Sequence, residues 1–155
     1  MTQISNFEQL LSGIREIIAR DADRDTRLRA VCEALAQAVP HYNWVGFYLV
    51  DPAQARELVL GPFVGAPTEH TQIAFGQGIC GQAAATEMTF VIQDVSQETN
   101  YLSCSPSVKS EIVVPIFKEG VVVGELDIDS HRLAPFGAED RAFLEAVCAK
   151  LAQLF

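Results

Sequence analysis

One hairpin limits what this chain can fold into. The run Ser110-Glu-Ile-Val-Val-Pro-Ile116 leads through Lys118-Glu119-Gly120 into Val121-Val-Val-Gly-Glu-Leu-Asp-Ile-Asp129. Three residues ending in Gly between two β-rich runs predict a type I turn closed by a left-handed glycine. With that turn centred on Glu119, position 111 falls opposite 127, and 129 lies one diagonal step away. Side chains alternate faces along a strand, so Glu111, Asp127 and Asp129 are expected to share a face. Like charges placed opposite each other destabilise a sheet. A sequence that keeps three carboxylates there has a use for them. Seven residues before Glu111 stands Cys104, in the polar stretch Ser103-Cys-Ser-Pro-Ser107.

The rest of the chain supplies helices at both ends. Ser5-x-x-Glu8 reads as a capping box ahead of Phe7, Leu10, Leu11, Ile14, Ile17 and Ile18 at helical spacing. A second helix is expected over 24–38, then strands over 43–50, 57–60 and 71–75. A short helix over 79–86 and a strand over 88–92 follow. Val95 to Val108 is a polar loop of about fourteen residues, long for an ordered connection, which suits a binding or lid role. A last helix is expected over 138–154. Hairpin-linked strands with terminal helices predict an α+β fold with an antiparallel sheet. With no repeat and no linker, residues 1–155 read as one domain: helices in 1–40, sheet and active-site loops in 41–130, and a C-terminal helix in 137–155.

Composition closes off several function classes. Eleven Lys and Arg are scattered among 20 Asp and Glu, for a net charge of −9. A nucleic-acid binder needs its basic residues clustered against phosphates, so that class is excluded. No run approaches the ~20 apolar residues of a membrane span, and no cationic stretch precedes an apolar one at the N-terminus. Four cysteines without C-x-x-C spacing fit a reducing cytosol, so a cytoplasmic location is expected.

The cysteines differ in setting. Cys32 and Cys148 lie on apolar helix stripes and read as small buried hydrophobes. Cys104, without apolar periodicity around it, reads as an accessible thiol, and on its own it is open to two readings, a reactive residue or an incidental loop cysteine. Cys80, in Gly76-Gln-Gly-Ile-Cys-Gly81, is open to two readings, a close-packed structural residue or a partner thiol. Neighbouring carboxylates raise a thiol's pKa, a poor setting for a hydrolytic nucleophile. Crowding also forces at least one carboxyl pKa upward, leaving an acid that can donate a proton near neutrality. A thiol beside such an acid suits attack on sulfur while oxygen leaves as water.

These motifs together resemble the free methionine-(R)-sulfoxide reductases, stand-alone GAF-domain enzymes. The resemblance rests on Asn43-Trp-Val-Gly-Phe-Tyr48, Leu58-Val-Leu-Gly-Pro-Phe63, Gly76-x-Gly-Ile-Cys-Gly81 with Ala83-Ala-Ala85, Ser110-Glu-Ile-Val-Val-Pro115 and Leu126-Asp-Ile-Asp-Ser130. It implies a GAF fold, often paired as a homodimer, and reduction of free L-methionine-(R)-sulfoxide with electrons from thioredoxin and no bound cofactor. Cys104 then resembles the catalytic cysteine, Glu111, Asp127 and Asp129 the substrate-binding acids, and Trp44 the pocket aromatic. The chain departs from the family where many members carry a second cysteine, ten residues before Cys80: here stands His70. Ser105 likewise replaces a common Asp. The resolving thiol is therefore Cys80 or a thiol of the reductant. The glycines of Gly76-x-Gly78-x-x-Gly81 let backbone approach a pocket, and the helix start there could offer N–H groups to the substrate carboxylate.

Three rivals compete. A non-catalytic GAF sensor would bind a small molecule without Cys104 chemistry. Gly76-x-Gly78-x-x-Gly81 matches a dinucleotide fingerprint, but the helix after it is short and no second βα unit follows. Asp127-x-Asp129-x-His131 with Glu111 could hold a hard cation, although no metal is expected.

Overall fold

The computed structural model describes residues 3–155 apart from Cys104, with side chains from residue 6 onward. Its elements are α1 (Gln3–Ile18), α2 (Arg24–Ala38), β1 (Trp44–Val50), β2 (Glu57–Val64), β3 (Gln72–Ala74), α3 (Gly78–Thr86), β4 (Phe90–Ile92), β5 (Ser110–Lys118), β6 (Val121–Ser130) and α4 (Ala138–Leu151). The strands form one sheet in the order β3-β2-β1-β6-β5-β4. Every pairing is antiparallel. The α+β expectation holds, and without a parallel βα unit in the sheet the dinucleotide reading falls.

Several boundaries differ from expectation by one to four residues, two of them for a local reason. α1 begins at Gln3, so Ser5 lies inside the helix and is not its cap. β2 runs on to Val64 through Gly61-Pro62. That is possible because β3 ladders with β2 only from Glu57 to Val59, and because Pro62 falls at a bulge in the β1–β2 ladder, between the pairs Gly46–Phe63 and Tyr48–Leu60. The cap of α2 is Asp23, whose carboxylate accepts from the Thr26 N–H at 2.7 Å. Asp140 anchors the start of α4: it accepts from the Gly137 N–H at 2.9 Å and from the buried Tyr42 hydroxyl at 2.7 Å.

The β5–β6 hairpin closes more tightly than its sequence suggests. Lys118 pairs with Val121, so the loop is Glu119-Gly120 alone. Both residues have positive φ (53° and 78°), the pattern of a type I′ turn. A bulge between Ile116 and Phe117 then shifts the register by one more residue. Glu111 accordingly faces Asp129, and Val113 faces Asp127, instead of 111 facing 127. A one-residue slip flips a strand's faces. Turn and bulge together make two slips, so Glu111, Asp127 and Asp129 still share a face.

That face and the opposite one are packed differently. Val45, Phe47, Leu49, Ile112, Val114, Ile116, Leu126 and Ile128 join α1, α2 and α4 in the larger core. On the other side, Trp44, Tyr48, Val113, Leu58 and Ile73 meet Ile79, Cys80, Ala83 and Ala84 of α3 in a smaller core.

Candidate active site

The smaller core gathers the buried ionisable groups. Glu111, Glu125, Asp127 and Asp129 are all buried, with Glu125 at 0% exposure. β6 contributes three of them at alternate positions, flanked by β1 and β5. Trp44 pairs with Asp129, Gly46 with Asp127 and Tyr48 with Glu125. α3 caps the face and brings the Cys80 thiol to 3.9 Å from Glu111 Oε2, to which it donates. Cys80, Glu111 and Asp127 place one donor atom each within 4.8 Å of one another. His131, exposed beyond the end of β6, does not join that group, so the Asp-x-Asp-x-His cation reading loses its imidazole.

Burial raises the pKa of Glu125, Asp127 and Asp129. The charge of Asp127 pushes Glu125 and Asp129 further the same way, and hydrogen bonding to Glu111 pulls Asp127 and Asp129 partly back. A hydrogen bond between two carboxyl groups needs a proton between them, so the cluster retains acid at neutral pH. Both oxygens of Glu125 and one each of Asp127 and Asp129 have no hydrogen-bond partner among the described residues. Cys80 is driven up as well, first by burial and then by Asp127, Glu125, Glu111 and Asp129. Its thiol stays protonated.

Above the acids, Tyr48, His70, Ile73, Ile79, Cys80, Leu102, Glu111 and Asp127 line a cavity of about 10 Å³, space on the scale of a single water. Trp44 stands at the edge of this face, 6% exposed, its indole N–H donating to the Ala66 carbonyl at 3.0 Å. Its ring stacks on Phe63 at 5.4 Å. Glycines make its berth: a Cβ at Gly46 would collide with the ring, and one at Gly65 would come within 2.6 Å of it.

The loop that carries Cys104 is tied down from several sides. Cys104 itself lies outside the described residues. Asn100 accepts from the Gly78 N–H at 2.8 Å and donates to the Gly76 carbonyl at 2.8 Å. Its own carbonyl accepts from Gln82 at 3.0 Å. The first N–H of α3 is thus taken by Asn100, which removes one donor from the anticipated carboxylate cradle. Gly76 and Gly78 both sit at positive φ (91° and 66°), as this turn requires. His70 reaches Ser103 from the far side, 2.9 Å from ring to carbonyl.

Three elements of the site were missed in the sequence reading. Glu125 was visible as the first acid of Glu125-x-Asp127-x-Asp129, a period of two that puts all three on one face. Tyr48 was visible by the same alternation from Trp44. No sequence signal marked Asn100. Cys32 and Cys148 are buried as expected, each donating to a carbonyl at 3.7 Å, of Pro62 and Val114 respectively. Burial pushes both thiols up.

Comparison with known proteins places this geometry. Residues 21–155 match the GAF domain family. The free methionine-R-sulfoxide reductase of Escherichia coli is 32% identical over 146 residues, covering 94% of this chain and 82% of that protein. The enzyme of the same name from Saccharomyces cerevisiae is 41% identical over 113 residues, 72% of this chain and 60% of the yeast protein. An X-ray structure of free methionine-R-sulfoxide reductase from Neisseria meningitidis, in complex with its substrate, superposes with a TM-score of 0.94. It is 37% identical, over 100% of this chain and 91% of that one.

Proposed function

This chain belongs to the GAF-domain family and, within it, to the free methionine-R-sulfoxide reductases, and on that premise we propose how its residues reduce free L-methionine-(R)-sulfoxide. The observation that carries the reading is the buried acidic face of Glu111, Asp127 and Asp129, where burial pushes the carboxyls of Asp127 and Asp129 up, so that the cluster holds protonated and ionised oxygens side by side. A free amino acid brings an ammonium group for the anionic part and a sulfoxide oxygen for the acidic part. Trp44 walls the pocket.

Cys104 is the nucleophile. Its thiolate bonds to the sulfoxide sulfur while a carboxyl of the cluster gives its proton to the oxygen. The S–O bond then breaks, the hydroxyl passes to the cysteine sulfur, and methionine leaves. Substrate sulfur gains two electrons, and Cys104 loses two to become a sulfenic acid. A second thiol attacks that sulfur, expels water, and leaves a disulfide that further thiol reduces. Cys80 could supply the second thiol, but attack requires a thiolate, and burial with four carboxyl neighbours holds this thiol protonated. The balance favours direct reduction by the donor protein. Thioredoxin is that donor in this scheme, with no bound cofactor, and the working unit is a homodimer.

The test is a thioredoxin-coupled NADPH assay with free L-methionine-(R)-sulfoxide and its S epimer offered separately, beside Cys104→Ser. NADPH oxidation confined to the R epimer and lost in Cys104→Ser is expected. Turnover that survives in Cys104→Ser would remove the nucleophile from the mechanism. Binding without turnover in the wild type would leave a GAF sensor.

A further inference from the structure

His70 makes hydrogen bonds in two directions. Its backbone carbonyl accepts from the hydroxyl of Tyr48 at 2.8 Å, and Tyr48 is buried on the acidic face opposite Glu125. Its ring Nε2 lies 2.9 Å from the Ser103 carbonyl. A carbonyl oxygen can only accept, so Nε2 carries the hydrogen, and this contact fixes the tautomer. His70 also lines the small cavity with Leu102, Cys80, Glu111 and Asp127. A continuous run of hydrogen bonds therefore leads from the floor of the acidic face, through residue 70, to the peptide bond that enters Cys104.

We infer that His70 is a positioning residue of the reductase: through Tyr48 and Ser103 it holds the nucleophile's loop in register with the proton-donating face. The inference rests on Cys104 being the nucleophile. Sulfur attack and proton delivery must meet on one S–O bond, so the loop and the acids need a common reference. Asn100 fixes one limb of the loop to the Gly76–Gly78 turn. His70 fixes the other limb at the residue next to the thiol. A side chain in this position works on the chemical step, because misplacement by about 1 Å can cost about 10²-fold in rate. It need not touch the steady binding of substrate.

Single-turnover kinetics isolate that step. Fully reduced protein in excess is mixed with free L-methionine-(R)-sulfoxide without any reductant, and the methionine formed is quantified after quenching. For His70→Ala, the saturating rate is expected to fall at least ~10-fold, with the half-saturating concentration and the melting temperature unchanged. His70→Gln places an amide N–H near the same point and is expected to recover the rate to within ~3-fold, about 0.7 kcal/mol on the tenfold scale. A rate within ~2-fold of wild type in His70→Ala, on the same scale, would overturn the inference. A loss confined to half-saturation, or a loss that Gln does not recover, would overturn it too. Cys104→Ser is run alongside: methionine formed by that variant would instead overturn the mechanism on which the inference rests.

Discussion

Asp127, Ile128 and Asp129 are consecutive residues of one strand, buried to within 3% of full enclosure, yet they belong to opposite halves of the molecule. Ile128 faces α1, α2 and α4 with the rest of the larger core, where enclosing an aliphatic side chain contributes roughly 1.5–3 kcal/mol. Its two neighbours face α3, where enclosing a carboxylate costs several kcal/mol unless it takes a proton or a partner. The same backbone thus stabilises with one face and stores acid on the other. The period of two in β5 and β6 keeps the two jobs from mixing.

That division can be broken most strongly from the stabilising side. Ile128→Ala is expected to cost about 2–5 kcal/mol in chemical denaturation, with turnover per folded molecule near wild type. Next come the acids: Glu111→Gln, Asp127→Asn and Asp129→Asn should each lower kcat/KM by about 10²-fold, the scale of a positioned proton donor. Their melting temperatures should hold or rise. If Ile128→Ala destroyed specific activity and the acid variants unfolded the protein, the two faces would not be separate in function.

Glu125 sharpens the comparison, because it has the burial of the core and the chemistry of the site. An apolar group of similar length should fit better than a fully buried acid, so Glu125→Met is expected to gain about 1 kcal/mol or more. The sign of the pH dependence follows from the raised pKa of the native carboxyl. Between the ordinary carboxyl range, about pH 4, and that raised value, the folded state binds a proton that the unfolded chain has released. The group's contribution is therefore full below about pH 4 and is lost as pH rises through the native pKa, by up to about 1.4 kcal/mol per unit. Denaturation series from pH 5 to 8 on wild type and Glu125→Met should diverge in the variant's favour as pH rises. Parallel curves would mean that Glu125 is not held protonated.

The sequence was most legible where alternation alone decides position. The shared face of Glu111, Asp127 and Asp129 follows from spacing, and it survived a wrong turn type and a hidden bulge only because the two slips compensated. The bulge depends on how the hairpin twists against β1, which no local pattern encodes. Pro62 disguised the length of β2, since its tolerance depends on a bulge against β1 and on how far β3 reaches along the sheet. Asn100 and His70 act through tertiary hydrogen bonds spanning 22 to 33 residues of sequence, out of reach of any short motif. The helical stripes of Leu28, Val31, Cys32 and Leu35, and of Phe143, Leu144, Val147 and Cys148, were legible because burial of one helix face leaves a local period.

Cys80 lies where the two kinds of packing meet, and it offers the smallest and most discriminating change. Its thiol fills space between Ile79, Ala83 and the sheet as a core residue would, and it also donates to Glu111. Cys80→Ser preserves size and donor while removing the sulfur. If this thiol is only packing and a hydrogen bond, turnover driven by thioredoxin and by dithiothreitol should both stay within ~3-fold of wild type, under 1 kcal/mol. A resolving thiol would split the two reductants, since a small dithiol can reach a sulfenic acid that thioredoxin meets only as an exposed disulfide. Loss with thioredoxin alone would therefore move Cys80 from the packing of the smaller core into the redox sequence. The carboxyls that now hold its proton would then have to act as its base.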